Sequence, residues 1–300
     1  MRGASVRRWF GLSAAVGLMA GGSAWGQAQP QAPGSAQNPA PSAMPQPGDE
    51  LPSAESLFAR HAEAVGGLEK AFQHDSRLVK GISRGSRSSS FLTLYYENPN
   101  RLAFTAESPG SPKVTSVFDG TYGWRLEEGV DEPTLLRGAE LVEMAESADF
   151  AGEVNYLKRY RGVRTLGVEQ TEDGRTLYRV AAESVNGRRS LLFFDAESGR
   201  IARAIVPQLI GDQVVQMQTD LSNYQPIDGF YIPHTLRQEL LGVGWSSEIT
   251  IRSIEPNVDR SELLERSPAV QAALDKAIAE LDAETNANEA AKDRAPDAGG

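Results

Sequence analysis

The sequence predicts a mainly β (α+β) fold: a curved antiparallel half-barrel of about 11–12 strands with helices covering its concave face. Hydropathy runs with a period of two from Arg77 to Glu255, interrupted by tight-turn signals. Those turns are too short for the crossovers that parallel pairing requires. Helical periodicity is confined to the start, middle and end of the foldable chain. A dozen strands in one sheet must curl, and helices then fit the hollow.

The first 26 residues read as an export signal. Arg2, Arg7 and Arg8 form a basic head, Trp9 to Met19 an apolar run, and Ala24-Trp25-Gly26 a small-residue cleavage pattern that would leave Gln27 first. Arg7-Arg8-Trp9-Phe10 suits a twin-arginine signal as well as a general one. The apolar run falls short of the ~20 residues a spanning helix needs, so no stable membrane span is expected after cleavage. Residues 27–52 hold seven prolines among Gln, Ala, Ser and Gly and read as a disordered linker. The half-barrel domain is then expected over 53–257, a C-terminal helix over 258–283, and a disordered tail over 284–300.

Ser53 caps a first helix in which Leu57, Phe58, His61, Ala62 and Val65 share a face, and Gly66-Gly67 stops it. Strands are expected at 77–84, 88–97, 101–107, 113–118 and 121–127, with Asn98-Pro99-Asn100 and Asp119-Gly120 as turns. Gly138 to Ala148 and Asn155 to Tyr160 return to helical character. Strands resume at 163–171, 176–183, 189–195, 200–207, 213–224, 231–241 and 246–255. Pro268 to Ala283 forms the last helix, with Val270, Leu274, Ile278 and Leu281 in one stripe. Leu92, Leu94 and Tyr96 alternate with Phe91, Thr93 and Tyr95, and Ile249 and Ile251 alternate with polar neighbours. That pattern predicts one apolar and one solvated face.

Composition excludes several classes of function. The 300 residues include no cysteine and three histidines, and the formal net charge is −10. Disulfides, thiolate chemistry, Cys-ligated metals and a lipid-anchoring Cys are therefore absent. The acidic balance disfavours nucleic acid, whose phosphates need Lys and Arg. No cofactor or metal is implied.

Several segments resemble one family. Ala64-Val65-Gly66-Gly67, Phe118-Asp119-Gly120-Thr121-Tyr122-Gly123-Trp124, Phe194 to Arg200, and Tyr224 to His234 resemble, in order and spacing, the LolA/LolB-like superfamily of outer-membrane lipoprotein carriers. The resemblance runs from Ser53 to about Pro256. It implies an open half-barrel, a periplasmic or otherwise extracytoplasmic location, and an acyl chain or lipid on the concave face. The chain departs from the sorting members in its acidity, linker and extra helix.

Other motifs carry less. Gly81-Ile82-Ser83-Arg84-Gly85 matches a nucleophile elbow, but that elbow needs a helix after it, and here another strand follows. His61 reads as a packed residue, His74 as solvated and His234 as a strand-edge residue, with no metal-binding spacing among them. Arg188-Arg189 and Arg159-Arg161 read as solvated turns or headgroup contacts. The expected function is thus a non-catalytic binding or carrier protein holding a lipid or other amphiphilic small molecule. Its expected cavity lining is Leu92, Leu94, Tyr96, Leu102, Phe104, Trp124, Phe194, Met217, Leu236, Ile249 and Ile251. A module that binds or senses an envelope protein is the alternative, and a hydrolase a second one.

Overall fold

The computed structural model describes residues 51–85, 88–152, 154–210 and 213–293. The expected export signal, its Gly26-Gln27 cleavage point, nearly all of the linker and the last seven residues of the tail lie outside the described residues.

Two antiparallel meanders make up the sheet. The first comprises β1 (Ser76–Gly85), β2 (Ser89–Glu97), β3 (Arg101–Glu107), β4 (Val114–Phe118), β5 (Gly123–Glu127) and β6 (Thr134–Leu135). The second comprises β7 (Tyr160–Gln170), β8 (Thr176–Ser184), β9 (Arg189–Asp195), β10 (Ile201–Ile210), β11 (Gln213–Ile227), β12 (Phe230–Leu240) and β13 (Trp245–Pro256). Pairing of β1 with β13 joins them into one 13-stranded open sheet. β6 exceeds the expected strand number. It pairs with β5 through only Trp124–Leu135 and Arg125–Thr134, too short to show any alternation in the sequence.

This strand order explains where the helices lie. β6 and β7 form opposite edges of the sheet, so the chain between them must cross the whole sheet. It does so over the concave face as α3 (Gly138–Ala148) and α4 (Tyr156–Arg159). α1 (Ala54–Ala64) and α2 (Gly67–Ala71) cover the same face from the N-terminal side. Ser53 caps α1, its hydroxyl accepting from the Ser56 amide at 3.1 Å. Gly66, at φ 110°, ends α1 and lies so close to the turn between β11 and β12 that a Cβ there would stand 2.3 Å from the Gly229 carbonyl oxygen.

The other face is not solvated throughout, as the alternation had suggested. Leu78, Tyr95, Ala103, Val117 and Trp124 form a second core there beneath Leu264, Val270 and Leu274. The last two belong to α5 (Pro268–Asp293), which extends past the expected Ala283 end. The added stretch holds Ala, Glu and Lys, which favour helix. Strands β1–β4 are thus apolar on both sides, and β5 turns its apolar side, Trp124, to this second core. Among the described residues no helix is long and apolar enough to cross a membrane.

Candidate functional site

The concave face carries one continuous apolar cluster from β4 through β1 and β13 to β8. Leu92, Leu94, Tyr96, Leu102, Phe104, Phe194, Met217, Leu236, Ile249 and Ile251 all belong to it, none more than 7% exposed. Trp124 does not. It pairs across the sheet with Val117 and Leu135 and points into the opposite core. The reason is the pleat: Gly123 takes the concave position on β5, where a Cβ would crowd Leu136 and Leu141, and its neighbour must face the other way.

Protein side chains occupy the face that the sequence assigns to a ligand. Phe58 of α1 stacks on Tyr156 of α4 at 4.7 Å between ring centroids and meets Phe194 edge-on at 5.0 Å. Met144 and Ala148 of α3 join the same cluster. Phe150, in the loop after α3, is 1% exposed. Arg188 holds α3 to the sheet through Glu146 at 2.8 Å, Glu143 at 3.6 Å and the Pro207 carbonyl at 3.1 Å. Its expected role as a solvated turn residue is therefore corrected.

The face is not uniformly apolar. Ser83 and Ser247 hydroxyls lie 2.7 Å apart on it, Gln238 and Thr219 continue the row from Ser247 across β12 and β11, and Gln208 is buried farther along β10. Sequence patterning misses them because Ser, Thr and Gln read as solvent positions. Ser83 sits inside β1 with a strand partner on each side, which removes the elbow geometry.

Arg77 is the most unusual group on this face. It stands directly opposite Tyr96 in the β1–β2 ladder and is 6% exposed. Its guanidinium carbon lies 4.4 Å from the Phe150 ring centroid and 5.1 Å from that of Tyr96. Nη2 donates to the Phe150 carbonyl at 2.6 Å, while Nε is buried without a partner. Among the described residues no carboxylate pairs with it. Removing the partner of a buried charge typically costs about 3–5 kcal/mol, and a desolvated cation–π contact returns roughly 2 kcal/mol. Beside Arg77 lies a crevice of about 10 Å³ lined by Lys70, His74, Phe230, Ile232 and Ile254. Sequence reasoning passed over Arg77 although its parity was readable: it shares a strand face with Val79, Gly81 and Ser83.

The three histidines stay apart. His61 is fully enclosed; its Nδ1 accepts from the Ile201 amide at 3.2 Å, and its Nε2 has no partner. Burial, assisted by nearby Arg200, lowers its pKa to about 3. His74 is pinned by Asn257, Gln73 and Asp228 instead of being freely solvated. His234 is 6% exposed, not at an open edge, and bonds to the Ile232 carbonyl at 2.9 Å.

No protein-family model matches the sequence, and no curated protein does. Solved structures do resemble it. A DUF1329 family protein from Desulfovibrio piger is 12% identical, with 71% of this chain and 97% of that one covered and a TM-score of 0.52. A LolA superfamily protein from Nitrosomonas europaea is 14% identical, covering 72% and 99%, at TM-score 0.49. An outer membrane lipoprotein-sorting protein domain from Vibrio parahaemolyticus is 11% identical, covering 70% and 94%, at TM-score 0.47. The first of these likenesses establishes the shared fold, which is the open antiparallel half-barrel that the motif resemblance implies.

Proposed function

We propose that the protein is an extracytoplasmic, non-catalytic binding protein that takes a lipid or other amphiphile between its curved sheet and the helical layer. One observation carries this reading: among the described residues, a single apolar face spanning most of a 13-stranded sheet is covered by short helices and a plugging loop. A ligand would take the place of the plug, chiefly Phe150 and its neighbours. Burying a CH₂ contributes about 0.8 kcal/mol, so a 12-carbon chain gains roughly 10 kcal/mol before ordering and plug displacement are subtracted. The basic head and cleavage pattern of residues 1–26 support the location.

The test is organic extraction of the purified protein followed by lipid mass spectrometry, with titration of an alkyl probe into the stripped protein. A co-purifying amphiphile, or saturable binding that competes with it, supports the reading. Stripped protein that binds no alkyl chain, even with Phe150→Ala, overturns it.

A second reading, an envelope protein-interaction module, is favoured by α5. Its buried stripe, Val270 and Leu274, continues into Ile278 at 40% and Leu281 at 58% exposure. Affinity capture from envelope extracts, with the full chain and with a chain ending at Lys276, separates the two. A stoichiometric protein lost on truncation, with no lipid present, favours the second.

A further inference from the structure

Arg77 presents a half-filled hydrogen-bonding fork. In a guanidinium, Nε–H and one Nη–H point to the same side as parallel donors, the geometry that a carboxylate accepts with both oxygens. Here Nη2 is taken by a single carbonyl oxygen, that of Phe150 at 2.6 Å, and the buried Nε beside it has none. A carbonyl has one oxygen and no charge, so it satisfies one donor, and among the described residues the cation has no counter-ion. The guanidinium carbon also lies over the ring faces of Phe150, at 4.4 Å, and Tyr96, at 5.1 Å.

The surroundings favour an anion more than the chain's overall acidity would suggest. Lys70 and His74 line the crevice beside Arg77. His74 faces Asp228 at 3.3 Å, and the Lys70 ammonium donates to the Gln73 amide oxygen at 3.4 Å, with no carboxylate paired to it among the described residues. The other lining residues are apolar and run straight into the main concave cluster through Phe230 and Ile232. The site therefore joins a buried cation to an apolar path, the two chemistries of a single-chain anionic amphiphile.

We propose that Arg77 is the oxyanion site of the ligand face: the carboxylate of a fatty acid displaces the Phe150 carbonyl, takes both Nε–H and Nη2–H, and its chain follows the concave face. This rests on the binding reading above and adds the class of ligand and its orientation. The crevice volume of about 10 Å³ means that the loop carrying Phe150 moves when the acid enters. A carboxylate, with its planar pair of oxygens, fits the fork and the narrow site better than a bulky phosphodiester.

Calorimetric titration of the stripped protein with dodecanoate, dodecan-1-ol and dodecyl phosphate tests this. We expect dodecanoate to bind at least about tenfold more tightly than the alcohol, the scale of a close buried charge pair. Arg77→Met should remove that preference, so that acid and alcohol bind within about twofold of each other. Arg77→Lys, which keeps the charge and loses the fork, should lose most of the preference and guards against a misfolded methionine variant. Equal binding of acid and alcohol by the unaltered protein overturns the oxyanion site and leaves the binding reading standing. Tighter binding of dodecyl phosphate than of dodecanoate overturns the carboxylate assignment. Failure of all three ligands overturns both the site and the binding reading.

Discussion

Phe150 caps Arg77 twice, its ring 4.4 Å from the guanidinium carbon and its carbonyl oxygen 2.6 Å from Nη2. One residue of a connecting loop thus fills the apolar face and partly satisfies a buried cation on it. Phe150→Ala should lower stability by about 3–5 kcal/mol, the usual cost of emptying a buried aromatic site. Urea denaturation measures this. If the emptied space belongs to the ligand path, an alkyl probe should restore part of the loss and raise the unfolding midpoint with its concentration.

His61 should make the fold acid-sensitive. Unfolded, it takes up a proton near its ordinary 6.5; folded, it stays neutral down to about 3. The unfolded state therefore binds the proton first, and the contribution is complete above pH 6.5 and lost progressively as pH falls toward 3. The slope is at most roughly 1.4 kcal/mol per pH unit. His61→Gln, which does not titrate, should flatten this dependence in denaturation curves taken between pH 7 and 4. An unchanged slope would assign the acid sensitivity to carboxylates such as Asp119, whose pKa the Tyr122 and Thr121 amides and Arg266 lower against the opposing effect of burial.

Gly66 and Gly67 separate two costs that are usually confounded. Both have positive φ, 110° and 78°, but an added Cβ at Gly66 collides with the Gly229 backbone while at Gly67 it meets open space. Gly67→Ala should cost about 1–2 kcal/mol from conformation alone. Gly66→Ala should cost more, because the α1 terminus must also part from the β11–β12 turn, to which the Val65 carbonyl is bonded by the Tyr231 amide at 2.8 Å. Thermal or urea midpoints of the two variants, compared directly, check the order.

The C-terminal helix should divide energetically at Leu274. A chain ending at Leu264 loses Val270 and Leu274, two buried side chains worth roughly 3–6 kcal/mol together. It also bares Trp124, 0% exposed in the intact fold, so its fluorescence should shift to the red. A chain ending at Lys276 removes only the exposed part of the stripe and should change stability by less than about 1 kcal/mol.

The sequence alone determined what depends on neighbours along the chain. The Ser53 cap, the Gly66 stop, the Asp119-Gly120 turn and the period-two runs are local, and they sufficed for an antiparallel half-barrel and for ten side chains of one apolar face. Tertiary structure decided what depends on distant pairings. Alternation states which residues share a face but not which face is concave, and the neighbouring β1–β4 are apolar on both sides, so Trp124 could be placed only once β5 was set against β4 and β6. The pairing of β1 with β13 sets β6 and β7 at opposite edges, and that in turn sends α3, α4 and the Phe150 loop across the concave face. Arg77 acquires its meaning only there: along the chain it is one more basic residue at a strand start, and its burial against Phe150 follows from a contact with a residue 73 positions away.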